Sequence, residues 1–428
     1  MKSLILAGAA VCMLSFNIHA ASYHQADQAF IKQSESLGVS QSVWDSAEYA
    51  AVSFPHAYKY TSHYRISRGL LGSGESVLMP EQWQESRLLD ITQLTGVDAD
   101  GEHSLDIILR DRLKNHSMVV LKGNKLAHQH FYNGLNQDST HLDMSVTKSF
   151  TAMLAAVAVD EGKLDMSKKV EYYLPEMKGT AFEGVTIQEV ADMRSGLNIP
   201  TPEFLSWDPR LTQSQDWHGK NDSGLHGAKA YLKLVKERKY PIGEKYQYQD
   251  PNTELLGMVV EKAAGVKLAD YLEAEIWKQV GAENDVFWMS GPDGYVSASG
   301  GLNMSTRDLA RIGKVILNDG KNYVGEQVIP KTFLDDIWAG NESVRSAWAK
   351  GKESHLAEDG WYKDQFRVIN IDGHKVLYMV GIHGQILAME KSSGVVIAMN
   401  GGYTQTETPR MANLIFYQVI PAILEQLK

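Results

Sequence analysis

A serine and a lysine stand three residues apart in Met144-Ser145-Val146-Thr147-Lys148-Ser149-Phe150, and Ser-x-x-Lys occurs nowhere else in the chain. Residues three apart share one face of a helix, so the hydroxyl and the amine would meet there. A serine hydroxyl is a weak nucleophile until a neighbouring base takes its proton, and a neutral lysine is such a base. The pair also breaks a local rule. A lysine in the first turn faces the positive end of the helix dipole, where an acidic residue would be stabilising. That field, together with burial, is expected to push Lys148 toward the neutral form a base needs. The alternative is that Ser145 only caps the helix and Lys148 points to solvent.

Other groupings carry less chemistry. His128 and His130 lie at i and i+2 on one strand face without a matching carboxylate or third histidine, so a surface pair is expected rather than a metal site. Gly72-Ser73-Gly74 lacks the flanking pattern of a nucleophile elbow. Trp207, Trp217, Trp348 and Trp361 are candidates for a cleft wall, a core or its rim.

The elements that must position Ser145 and Lys148 follow from the hydrophobic pattern. Met118–Leu121 and Leu126–Phe131 flank Gly123-Asn124 and read as a hairpin. The stretch from Ser145 to Glu161 is apolar around its whole circumference, which predicts a buried central helix stopped at Gly162. Helical patterns follow at Ile187–Met193, Ala228–Lys239, Thr253–Ala264 and Leu268–Val280, and Ser305-Thr306-Arg307-Asp308 opens another as a capping box. Short apolar strands return at Gln365–Ile371, Lys375–Ile382, Ile386–Glu390 and Val395–Met399, before a last helix from about Arg410 to Leu427. Strands near both ends with helices between them imply an α/β architecture, one sheet built from distant segments. The expected units are a sheet domain from 105–165 and 291–428, a helical lobe inserted at 166–290, and an N-terminal extension, 21–104, without an assigned task.

Composition sets the class. With 43% hydrophobic and 22% charged residues, the chain is neither disordered nor collagenous. Forty-two basic against 52 acidic residues gives 42 − 52 = −10, which argues against a nucleic-acid or anionic-membrane surface. Residues 1–20 read as a secretory leader: Lys2, the apolar run Leu4–Phe16, and Ile18-His19-Ala20 before a cleavage point. That run is shorter than the ~20 residues a spanning helix needs, so no membrane anchor is expected after cleavage. The only cysteine, Cys12, lies inside it, so the exported chain would use neither disulfides nor thiol chemistry.

The motifs in series resemble those of the serine β-lactamase and penicillin-binding-protein-like hydrolases. Ser145-Val146-Thr147-Lys148 is followed by a short helix and the Ser195-Gly196-Leu197 turn. Tyr248-Gln249-Asp250 then resembles the family's Tyr-x-Asn motif, Ser299–Leu309 its Gly-Gly-Leu segment, and Gly381-Ile382-His383-Gly384-Gln385 its third motif. The likeness covers about 105–425 and is closest to the 6-aminohexanoate-oligomer hydrolase branch, which carries Gly-Ile-His-Gly-Gln in place of Lys-Thr-Gly. Neither Lys-Thr-Gly nor Ser-Asp-Asn occurs here, Asp250 replaces the usual Asn, and the segment Pro202–Trp207, where that branch places a tyrosine, has none.

The resemblance implies a β-lactamase/D-alanyl-D-alanine peptidase-like fold and an acyl-enzyme mechanism without metal or organic cofactor. Ser145 would be the nucleophile, Lys148 the base and Tyr248 the proton relay. The backbone N–H groups of Ser145 and Ile382 would form the oxyanion hole, and His383, Gln385 and Asp250 would contact substrate. The expected function is an exported, periplasmic or secreted serine hydrolase for a small amide or ester. A D-alanyl-D-alanine carboxypeptidase or β-lactamase, and a non-catalytic binding protein on the same fold, are the alternatives.

Overall fold

The structure is a computed structural model and describes residues 20–69, 77–201, 207–219, 221–404 and 408–428. The expected leader, except Ala20, the Gly72–Gly74 segment and positions 202–206 lie outside the described residues. No described helix is long and apolar enough to cross a membrane.

The larger sheet has eight strands in the spatial order Gly360–Lys363, Phe366–Ile371, His374–Gly381, Gln385–Glu390, Val395–Gly401, Asn115–Lys122, Lys125–Phe131 and Gln84–Glu85. Neighbours are antiparallel except the last pair. Distant segments therefore meet in its middle, where Ala398 pairs with Val119 and Met399 with Met118.

Both faces of this sheet are covered, which is why its strands read as nearly continuous apolar runs. Val119, Leu121, Leu387, Met389, Val396 and Ala398 pack in one cluster with the central helix Thr147–Asp160 and the helix Thr306–Leu317. The alternate residues Met118, Val120, Ile386, Ala388, Val395 and Ile397 pack on the other side with the C-terminal helical segment 409–426.

The second sheet runs Ser22–His24, Ser62–Ile66, Val286–Ser290, Leu302–Ser305, Thr140–Leu142. It changes two expectations. Val286–Ser290 is a strand inside the span assigned to the helical lobe, and the extension 21–104 supplies two strands here and one to the larger sheet. The extension is thus woven into the body of the fold. Two helices are also shorter than their patterns. Ala228–Leu232 stops early because the following backbone pairs elsewhere: Val235 accepts from Ala181 and Glu237 from Asn198. Leu268–Leu272 passes into a wider π-type stretch, Glu273–Trp277.

Only half of the expected capping box forms: Ser305 Oγ accepts from Asp308 N at 3.1 Å and donates to Asp308 Oδ2 at 2.8 Å, but the Asp308 carboxylate, instead of reaching back to Ser305 N, accepts from Glu283 N and Asn284 N. The helix it opens lies close on the sheet at Gly313, where an added Cβ would sit 2.6 Å from Val396 Cγ1 and 3.0 Å from Leu387 Cδ1. Alanine there would gain about 1 kcal/mol of helix propensity, but overpacking costs about 1–3 kcal/mol. The second term wins. Gly313→Ala is expected to lower stability by about 1 kcal/mol and Gly313→Val by more, measured by urea unfolding. A stabilised alanine variant would show that the helix can move off the sheet.

Candidate active site

Thr140–Leu142 leads through Asp143 into a 3₁₀ turn, Met144–Val146, and then into the central helix. Met144 has φ +47°, a left-handed conformation unusual for a side chain of this size. It sets Ser145, half-buried, at the mouth of the helix. Twelve of the helix's fourteen residues are buried, Lys148 among them with 1% exposure.

Lys148 does not point to solvent, and Ser145 makes no cap. The lysine Nζ lies 2.7 Å from Ser145 Oγ, 2.7 Å from the carbonyl oxygen of Ser299 and 2.8 Å from Asp250 Oδ1. It also sits 5.0 Å from the ring centroid of Tyr248. The expected neutral amine is corrected here. Burial does favour loss of the proton, but Asp250 and then Tyr248 more than offset it and hold the Lys148 pKa above its ordinary value. The helix-end argument omitted a carboxylate that arrives from another helix. Asp250, read as a substrate contact, is first the counter-ion of Lys148.

Asp250 opens the helix Asp250–Ala264, and one turn further on the same helix carries Glu254, fully buried. Glu254 accepts from the backbone and hydroxyl of Ser299 (3.0 and 2.7 Å) and from Ala298 N. It thereby fixes the carbonyl that receives Lys148. Burial outweighs these hydrogen bonds and pushes its pKa up to about 7. Sequence reading missed Glu254, although a lone acid inside the apolar run Leu255–Val260 and its approach was the available signal.

Gly381-Ile382-His383-Gly384-Gln385 forms the end of one strand, a three-residue turn and the start of the next. Gly381 is required by close approach: a Cβ there would lie 2.5 Å from Asp143 O and 3.0 Å from Met144 Cβ. That contact brings the Ile382 turn beside Ser145 at the rim of the cleft. His383 lines the cleft but is buried, its Nδ1 2.8 Å from Tyr403 O, and burial lowers its pKa. Gln385 is corrected. It is fully buried, donates to Ile382 O and Gly401 O, and accepts from Asn400 and Gly401 N, so it holds the turn from behind and does not line the cleft.

The cleft has a volume of about 390 Å³ and is lined by Ser145, Tyr248, Asp250, Ser299, Ile382 and His383 together with Tyr240, Tyr246, Trp207 and Trp217. Trp348 and Trp361 belong to the core. Trp44 and Asp45 of the N-terminal segment complete the wall: Trp44 stacks on Trp217 and donates to its carbonyl at 2.7 Å, and Asp45 pairs with His218 at 2.9 Å. Arg367, also unanticipated, lies 4.5 Å from the Tyr248 ring centroid and is neutralised by Glu353. His128 and His130 hydrogen-bond each other away from this cleft.

A hydroxyl touching a buried amine, with backbone amides and a phenol beside it, is the geometry of nucleophilic acyl transfer. Comparison with known proteins agrees. Residues 108–419 match the Beta-lactamase family model, and the chain belongs to that family and is a serine hydrolase. It is 26% identical over 305 residues to a 6-aminohexanoate-dimer hydrolase of Paenarthrobacter ureafaciens, covering 68% of this chain and 74% of that one. Its fold matches a solved Bacillus anthracis protein provisionally described as a 6-aminohexanoate-dimer hydrolase, with TM-score 0.77, 22% identity and coverage of 91% and 97%. A class C β-lactamase shares the fold more distantly, with TM-score 0.52, 16% identity and coverage of 76% and 94%.

The Glu254 shift has a stability consequence. The carboxyl ionises near 4.5 in the unfolded chain and near 7 in the folded one. Below the first value both states hold the proton, so nothing is gained or lost. As pH rises between the two, only the unfolded chain releases it, and stability falls until about pH 7. Glu254→Gln removes this dependence. Its stability relative to the parent should rise by on the order of a few kcal/mol between pH 4 and pH 8, read by urea unfolding. An equal difference at both pH values would show that folding does not shift the Glu254 carboxyl.

Proposed function

We propose that this protein is an exported hydrolase that cleaves a small amide or ester through an acyl-enzyme on Ser145. The observation that carries the reading is the 2.7 Å contact between Ser145 Oγ and the buried Lys148 Nζ at the floor of an aromatic-lined cleft. Lys148 takes the hydroxyl proton, and Tyr248 passes one to the leaving group, a role worth roughly 10²–10⁴-fold. The amides of Ser145 and Ile382 hold the developing oxyanion, and each such donor is worth about 10²–10³ in rate. The leader-like start of the chain supports export, and the hydrolase relative supports amides among the substrates.

A fluorophosphonate probe should label the enzyme at Ser145, found by peptide mapping, and Ser145→Ala should abolish both labelling and turnover. An adduct on another serine with the alanine variant fully active would defeat the assignment. Lys148→Arg should also fail to acylate while remaining folded, because a guanidinium does not give up its proton.

The third motif bears on the substrate. No ammonium stands where Lys-Thr-Gly would place one, and His383 is kept from replacing it by burial, which disfavours its charged form. A lost charge-assisted hydrogen bond forfeits ~1.5–3 kcal/mol, about ten- to a hundred-fold. A short-chain p-nitrophenyl ester should therefore be cleaved with measurable kcat/KM and nitrocefin much more slowly. Nitrocefin as the better substrate would overturn the argument from the third motif.

A further inference from the structure

Lys148 as found is a proton donor, and this leaves Ser145 without a base. The ammonium has three N–H bonds and four groups around it: Ser145 Oγ, Ser299 O, Asp250 Oδ1 and the Tyr248 side chain. Before Nζ can accept the serine proton it must release one of its own. A peptide carbonyl cannot hold that proton, a phenol at Tyr248 has no basic site for it, and Ser145 is the group to be deprotonated. Asp250 alone can receive it. We propose that Asp250 is the proton acceptor that arms Lys148, and that substrate triggers the transfer by drying the cleft. This rests on the acyl-enzyme reading above.

The trigger follows from burial. The Lys148 side chain is 2% exposed and that of Asp250 25%, so the carboxylate keeps a water-facing edge, and Asp250 lines the cleft. A substrate in the cleft covers that edge. An ion pair that loses its water is penalised, whereas a neutral amine beside a neutral acid is not, and the net charge of the pair is zero in both states.

The protons balance through the cycle. Lys148 passes one to Asp250 Oδ1, then takes the Ser145 proton as Oγ bonds to the carbonyl carbon and the carbonyl π electrons move to oxygen. As the tetrahedral centre collapses, its bond to the leaving group breaks and Tyr248 protonates the departing atom. Lys148 restores the Tyr248 proton and Asp250 restores that of Lys148. The serine proton has in effect moved to the leaving group, and the ion pair is rebuilt.

Asp250→Asn, with a near-identical shape, is the test. Without the carboxylate, Lys148 must itself be neutral before it can act. Burial favours that neutral form once the counter-ion is gone, so the loss is read from the pH profile: the variant's kcat/KM for a p-nitrophenyl ester should fall at least tenfold relative to the parent at the acid end, where its lysine is still protonated. The ratio of variant to parent should then climb with pH toward alkaline values. Glu254, Tyr248, Tyr231 and Tyr362 also act electrostatically on this pair. Asp250 raises the pKa values of Glu254, Tyr231 and Tyr362, so their titrations shift in the variant; both enzymes are therefore compared in a Glu254→Gln background, which removes the group that titrates near neutral pH. A variant with parental kcat/KM, or one slowed by the same factor at every pH, overturns the proposal in favour of a structural carboxylate. If the variant does not fold, acylation of the parent by a p-nitrophenyl ester, whose phenolate leaves without a proton from Tyr248, decides in H₂O/D₂O mixtures: a bowed plot from two or more moving protons supports the relay, and a straight one-proton line rejects it. Turnover by Ser145→Ala would instead defeat the underlying acyl-enzyme reading, whatever Asp250 does.

Discussion

An ammonium with almost no access to water must have its charge met from within, and much of the site follows from meeting it at Lys148. Removing one partner from a buried ion pair costs about 3–5 kcal/mol, so Asp250 must be held in place. The helix Asp250–Ala264 does this by packing on the central helix and by using two successive turns of one face. Asp250 meets the lysine, and Glu254 secures the backbone of Ala298 and Ser299, whose carbonyl is the lysine's third acceptor. Three chain segments are thus tied to one nitrogen. Ser145 has one hydrogen bond from Lys148, while the lysine also meets Ser299 O, Asp250 and Tyr248.

The second constraint is steric. The larger sheet reaches the serine only because Gly381 has no side chain where its strand passes Asp143 and Met144. Behind the contact is a closed polar network. Asp143 accepts from Asn400 and from Met304 N, Asn400 also donates to Gln385, and Thr306 donates to Asn400. These residues come from both sheets and the helix between them. Burial pushes the Asp143 carboxyl well above the usual range, even with two hydrogen bonds to it. A network of this kind rigidifies only if it is complete, and Gln385 is the member that extends it to the Ile382 turn.

What was legible in the sequence was local or ordered along the chain. Ser145 and Lys148 meet because they stand three positions apart across the turn that opens the central helix, and the order of the motifs carried the fold. Lys148's charge state was not legible, since its counter-ion lies about a hundred residues away and no local rule reports it. Gln385 was misread for a related reason. Its position in the third motif suggested exposure, whereas its amide is consumed by backbone groups of the Ile382 turn and of the neighbouring strand at Gly401. The strand Val286–Ser290 escaped because its five residues follow a helical pattern directly, and the shortened helix after Ala228 yielded to tertiary pairing that propensity does not see. The N-terminal segment gave only scattered aromatic residues, of which Trp44, Phe54 and Tyr60 prove to be core against the cleft wall.

The charges around the cleft sort by depth. Inside, Lys148 is paired with Asp250 and Arg367 with Glu353, whereas the His218–Asp45 pair lies nearer the surface. Tyr248 lies against both inner cations, its ring centroid 5.0 Å from Lys148 Nζ and 4.5 Å from the Arg367 guanidinium. Such paired charges act as fixed dipoles over short range and are little affected by salt. At the mouth, Lys239 and Lys352 are exposed and form no ion pair among the described residues. Their field reaches outward but is screened over about 8 Å at physiological ionic strength. The exposed lysines at the mouth are therefore open to screening by salt, whereas the internal pairs beside Ser145 are not.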